Sequence, residues 1–265
     1  LLVDKDKGWT SHDVVGKIRG LIGGKVGHAG TLDPMATGLL IVGIGRYTRL
    51  LRYVQGLPKE YEATAPFGVA TDSLDADGAI IERTPLPVTM SQLEKAAERF
   101  RGPILQIPPM VSARKVEGKR LYQLARAGEV VEREARSVEI YELMITDFAP
   151  SDYPLVSFNV VCSTGTYVRT LGDDLARAVG GRAHLTALRR TRNGSISVAD
   201  AIRIGTIEEA VKAGRIRDEA VDHDLPRDPD AGWLRHRCAE DHPLRALHRR
   251  VVKLLSSRRS CGGRF

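Results

Sequence analysis

The sequence predicts an α+β fold with a mixed, largely antiparallel central sheet flanked by helices. Several segments have strand character, only a few carry helical periodicity, and no regular βαβ alternation calls for a parallel sheet. Residues 10–22 form the first helix, with Thr10 or Ser11 as N-cap, Asp13 in the first turn, and Val14, Val15, Ile18, Leu21 and Ile22 on one stripe. Gly23-Gly24 stops it. A loop follows from Lys25 to Gly38, and the apolar run Leu39-Leu-Ile-Val-Gly-Ile44 behind it reads as a buried strand. Residues 60–69 alternate as a strand, and Asp75-Ala-Asp-Gly78 makes a turn before Ala79-Ile-Ile81.

Pro85 and Pro87 break the chain ahead of a second helix at about 90–101, introduced by the capping-box spacing Thr89-Met-Ser-Gln92. Ile107-Pro-Pro-Met-Val-Ser112 is extended, because each proline drives its predecessor out of the α region. Strands are predicted at 138–148 and 155–162, and a helix over Thr170–Val179 ends at Gly180-Gly181. From about 227 the chain is rich in Arg and His without strand alternation, and only 243–255 has helical spacing.

The 265 residues suit one large domain, or a main domain with an appendage. At 42% hydrophobic and 28% charged they exclude a disordered or collagen-like chain. No apolar run approaches the length of a membrane span, and the first residues lack the pattern of an export signal, so the expected location is the cytoplasm. Cys162, Cys238 and Cys261 are far apart, which supports neither a disulfide framework nor a zinc site.

The formal net charge is +7. Residues 227–265 carry +6 of it, yet the remainder is blocky: residues 1–52, 99–128 and 177–203 are basic, whereas 53–98 and 129–152 are acidic. Basic blocks brought onto one face would make a groove for phosphates.

The densest stretch is Gly27 to Gly38, with three glycines, His28, Thr31 and Asp33 between a helix and an apolar strand. No Walker pattern and no strand-to-helix GxGxxG occurs there, which disfavours a nucleoside triphosphate site. Asp33, between Leu32 and Pro34, is by itself a turn residue. Used for chemistry, it needs a cation to keep it ionised. Tyr167 and Arg169, two apart in Gly165-Thr-Tyr-Val-Arg-Thr170, would project to one face if extended.

Together these pieces form an ordered set. Asp4-Lys5, Gly8-Trp-Thr-Ser11 and Lys25-Val-Gly-His-Ala-Gly-Thr-Leu-Asp-Pro-Met-Ala-Thr-Gly38 come first. Tyr61-Glu-Ala-Thr64, Thr71-Asp-Ser-Leu-Asp75, Gln106-Ile-Pro-Pro109 with Ser112-Ala-Arg-Lys115 and Gly118-Lys-Arg-Leu-Tyr122, Cys162 to Thr170, and Ala183 to Arg190 follow. The set closely resembles the signature of the TruB family of tRNA pseudouridine synthases, over residues 1 to about 205.

That resemblance implies a pseudouridine synthase fold and isomerisation of uridine 55 in the tRNA T-loop, without metal or cofactor. It implies Asp33 as the catalytic aspartate, His28 filling the place of the flipped base, and Tyr61 stacked on the target uracil. Tyr167 and Arg169 would line the pocket with Arg169 paired to Asp33, and Leu188 would be an apolar wall. The partner implied is the tRNA T-stem-loop, acted on by a monomer with no obligatory protein partner. The organisation expected is a catalytic domain over 1–205, a helical connection over 206–226, and an atypical basic tail over 227–265. That tail is not a recognisable RNA-binding domain of the PUA type; it reads as a different RNA-binding arm, a disordered extension or the translation of a shifted reading frame, and its Arg/His/Cys-heavy, strand-poor character favours the last two. Departures from the family pattern are Asp6, Tyr47 and Val111, none of them a proposed catalytic group.

Overall fold

A computed structural model describes residues 1–109, 133–214 and the short backbone stretches 115–116 and 119–120. The described residues form two compact units, Leu1–Leu57 with those from Thr191 to Gly214, and those between Pro58 and Arg190. The expected tail over 227–265, its helix at 243–255, most of the 206–226 connection, and the extended reading beyond Pro109 lie outside the described residues.

In the first unit the elements are β1 (Leu2–Lys5), α1 (Ser11–Ile22), β2 (Val26–Ala29), β3 (Thr37–Ile44), a 3-10 turn and α2 (Leu51–Gln55). Thr10 is the N-cap of α1: its hydroxyl accepts from the Asp13 N–H while Asp13 reaches back to the Thr10 N–H, a complete capping box. β3 is buried along its interior length, as its unbroken apolar run requires, and pairs antiparallel with both β1 and β2. Leu39 and Ile41 of β3 join Leu2, Ala29, Leu51, Val54 and Ile196 in one apolar cluster.

β2 is a correction to the expectation of a loop over 25–38: Val26–Ala29 pairs antiparallel with Ile41–Ile44 of β3, so His28 stands on a strand.

The second unit is built on β4 (Lys59–Pro66), β5 (Val69–Thr71), β6 (Ile80–Arg83), α3 (Met90–Glu98), β7 (Gly102–Gln106), and the short pair β8 (Lys115–Val116) and β9 (Lys119–Arg120). β10 (Arg136–Ala149), β11 (Leu155–Cys162) and α4 (Val168–Ala178) follow, and β12 (Ala187–Asn193) leads out of it. Beyond it β13 (Ile196–Ser197) pairs back on β12, and β14 (Ile202–Arg203) runs parallel to β1 before α5 (Ile204–Lys212).

The strands β4, β11, β10 and β7 lie side by side, each pair antiparallel. Strict alternation puts Tyr61, Ala63 and Ala65 of β4 and Val156, Phe158, Val160 and Cys162 of β11 on the buried face. α4 packs on this face. A Cβ on its Gly172 would stand 2.9 Å from Leu185 Cδ2 and 3.9 Å from the Phe158 ring, so the absence of a side chain sets how closely the helix approaches.

Two positions test this packing. Gly68 has φ +89, and a Cβ there would sit 2.5 Å from the Thr84 carbonyl oxygen. Gly68→Ala should therefore destabilise the protein by about 2–4 kcal/mol, read in denaturant unfolding. On α4, burial and the neighbouring Asp173 raise the Asp174 carboxyl to about 6, partly opposed by Arg177. A pKa above the unfolded value means that stability present below about pH 4 is lost as pH rises through 6. Asp174→Asn should raise the unfolding temperature at pH 7 and leave it nearly unchanged at pH 4; an equal shift at both would refute this.

Candidate active site

The loop after β2 is tied at both sides of Asp33. On its N-terminal side the Ser11 hydroxyl, at the start of α1, accepts from the Leu32 N–H at 2.8 Å and faces the Leu32 carbonyl at 3.2 Å. On its C-terminal side the Pro34 carbonyl accepts from the Gly8 N–H at 2.8 Å. The Asp33 carbonyl closes a turn by accepting from the Ala36 N–H. Leu32 and Met35 are buried and anchor the turn, while Asp33 itself is half-buried.

Lys5 adds a third tie. It is fully buried, and its ammonium donates to the carbonyls of Trp9 at 2.7 Å, Asp6 at 3.0 Å and Pro34 at 3.4 Å. A buried ammonium is tolerated only when its donors are satisfied, so these carbonyls and the cation fix one another. His28, half-buried on β2, meets the His12 ring of α1 edge-on at 5.7 Å between centroids.

The second unit carries the other four predicted residues. Tyr61 is buried on β4, opposite Val160. Tyr167 is the N-cap of α4, and its backbone is clamped by Gln106: the Tyr167 N–H donates to Oε1 at 3.0 Å and the Tyr167 carbonyl accepts from Nε2 at 3.3 Å. Leu188 is buried on β12.

Arg169 lies on the first turn of α4. The extended arrangement considered for Tyr167 and Arg169 is therefore corrected: the backbone turns helical at Val168, and the two residues are not related by strand alternation.

Arg169 is 2% exposed. Its Nη1 donates to the Ser73 carbonyl at 2.8 Å and to Asp75 Oδ2 at 3.0 Å. The other oxygen of Asp75 accepts from the Ser73 hydroxyl and from the Asp77 N–H at 3.1 Å, and its carbonyl accepts from the Thr71 hydroxyl. Leu74, between the two acceptors, has φ 60, and its carbonyl accepts from the Leu185 N–H. A left-handed leucine is strained, and here the strain aims the Ser73 carbonyl and the Asp75 carboxylate at one guanidinium.

Sequence reasoning gave no role to Asp75, Ser73, Gln106 or Lys5, although the motifs contain all four. Asp75 was read as a turn residue, which it is; no local spacing shows that its carboxylate meets an arginine 94 positions away. Asp33 and His28 belong to the first unit and the other four to the second.

Removal of one partner from a buried ion pair leaves the other charge uncompensated. Asp75→Ala should cost about 3–5 kcal/mol of stability, and Asp75→Asn less because it retains an oxygen acceptor. Chemical denaturation of the three proteins checks the order; equal stability of all three would refute it.

Comparison with known proteins accords with the motifs. Residues 18–168 match the family model described as TruB family pseudouridylate synthase, N-terminal domain. Residues 169–236 match the tRNA pseudouridylate synthase B C-terminal domain. Curated relatives named tRNA pseudouridine synthase B include those of Lactococcus lactis subsp. cremoris (44% identical over 86% of this chain and 72% of the relative) and Thermobifida fusca (49%, over 76% and 71%). That of Pseudomonas aeruginosa is 44% identical over 88% of this chain and 75% of the relative.

Among solved structures, a chain of a Cbf5-Nop10-Gar1 complex superposes with a TM-score of 0.62 at 27% identity, covering 82% of this chain. This chain spans 57% of that one's length. The fold is that of the pseudouridine synthases, and the chain belongs to the TruB family of tRNA pseudouridine synthases, which are isomerases.

Proposed function

We propose that the chain converts uridine 55 in the tRNA T-loop to pseudouridine, with Asp33 as the catalytic carboxylate. The observation that carries this reading is the Asp33 loop, tied through Ser11 and Leu32 on one side and through Gly8, Lys5 and Pro34 on the other. Such anchoring holds a carboxylate at one position before substrate arrives, which is what a nucleophile or a charge-stabilising group requires.

The substrate uridine leaves its stack to reach Asp33. His28 fills the vacated place, Tyr61 stacks on the uracil, and Leu188 closes the pocket with an apolar wall. These contacts offset an unstacking cost of a few kcal/mol. Tyr167 and Arg169 line the pocket, and Arg169 pairs with Asp33 to hold it ionised. The Asp75 clamp supports this role by fixing the guanidinium.

The N1–C1′ bond breaks, the uracil turns while bound, and C5 joins C1′; the proton displaced from C5 is balanced by one gained at N1. No metal or cofactor is needed for this isomerisation. The enzyme acts in the cytoplasm as a monomer on the T-stem-loop without a protein partner. Its catalytic domain spans 1–205, joined through 206–226 to the basic tail over 227–265.

Incubation with unmodified tRNA followed by positional mapping of pseudouridine tests the reading. The wild type should modify position 55, and Asp33→Asn should abolish turnover while tRNA binding survives. Appreciable product from the variant would overturn the assignment of Asp33, and product at another position would overturn that of the substrate.

A further inference from the structure

One buried cation of the second unit has no part in the reaction as described. Lys59, the first residue of β4, is 5% exposed. It shares the buried face of that strand with Tyr61, two residues on and so about 7 Å away.

Its neighbour across the strands is Cys162, the last residue of β11, from which the chain runs through Thr166 to Tyr167 at the start of α4. The positive charge of buried Arg190 on β12 also acts on Lys59. Lys59 is thereby connected to the Tyr61 and Tyr167 sides of the site within one unit, close to a second buried cation. Burial and the like charge of Arg190 both act against the charged form of Lys59.

We propose that Lys59 is a further catalytic group, its ammonium stabilising the uracil as it leaves C1′ as an anion. The inference rests on the reading of Tyr61 as the ring under the target base. A side chain two residues along the strand then reaches the edge of that base. The depth of Lys59 selects the base over the backbone phosphates, which stay at the mouth when a nucleotide flips.

When the N1–C1′ bond breaks, its electron pair departs with the uracil and spreads over N1 and the ring carbonyl oxygens, while C1′ becomes cationic or bonds to the Asp33 carboxylate. Lys59 offers a fixed positive charge to that anion and retains its proton. A pair from C5 then bonds C1′, releasing the Asp33 carboxylate where it had bonded there; the C5 proton leaves, and N1 is protonated. A charge aimed at a group that becomes anionic only in the transition state lowers the barrier without tightening ground-state binding.

Burial, with Arg190 adding to it, lowers the Lys59 pKa to about 8, while the Cys162 thiol opposes that shift. Cys162 is itself raised to about 11, so of this pair Lys59 is the one that titrates between pH 7 and 9.

The test uses the full chain with an unmodified T-stem-loop. Lys59→Met should slow single-turnover pseudouridine formation about 10²-fold with Kd changed less than about threefold, and Lys59→Arg should recover part of the loss. In the wild type kcat/KM should fall about tenfold from pH 7 to 9 while Kd holds, and this fall should be missing in Lys59→Met. A Met variant at the wild-type rate, a loss confined to Kd, an Arg variant no better than Met, or a flat wild-type profile would each overturn the proposal. A wild type that makes no pseudouridine, or an active Asp33→Asn, would instead overturn the underlying reading.

Discussion

The ion pair of Arg169 with Asp75 organises the second unit around the candidate site. A guanidinium on the first turn of α4 enters the protein interior, where an unmatched charge costs several kcal/mol. The segment from Thr71 to Asp77 is shaped to meet it. Leu74 takes a left-handed conformation so that one carbonyl and one carboxylate converge on Nη1, and the Thr71 and Ser73 hydroxyls hold Asp75 from behind. The same turn lends the Leu74 carbonyl to Leu185, which joins it to the stretch leading into β12 and Leu188. One buried charge thus couples α4, the β5–β6 connection and the approach to β12.

The first unit solves a similar problem with different atoms. Lys5 is as deeply buried, but the oxygens that hold its ammonium at Asp6, Trp9 and Pro34 are backbone carbonyls. A lysine can use such scattered acceptors because its three donors rotate about one carbon, whereas a planar guanidinium wants acceptors in its own plane. The outcome is a backbone tie: Lys5 fastens the chain immediately after Asp33 to the chain before α1.

Much of this architecture was legible wherever a signal is local. The Thr10 capping box, the apolar run of β3 and the alternation in β4 and β11 each depend on neighbours a few residues apart, and each element formed where its pattern lay. β12 was not read as a strand because Ala187–Asn193 holds three arginines. Yet Arg190 is 1% exposed, so a residue type that normally marks the surface lies inside. β2 was missed because in Val26-Gly-His-Ala29 only the valine favours a strand, and pairing with β3 supplies what propensity does not. Of the site, the six residues came from ordered motifs, while their supports at Lys5, Ser73, Asp75 and Gln106 came only from long-range contacts.

These supports alter the meaning of the net charge. A positive total suggests nucleic acid through surface attraction, which salt screens over about 8–10 Å. Lys5, Lys59, Arg169 and Arg190 are each at most 5% exposed, so they add four charges to the total yet contribute little to that screened attraction. Their effect is local, exerted where the dielectric is low and mobile ions do not reach. The cations that hold RNA and the cations that order the site are therefore separate populations, and only the first answers to ionic strength. Raising salt should weaken the encounter with tRNA and leave the bond-breaking step in the bound complex almost untouched.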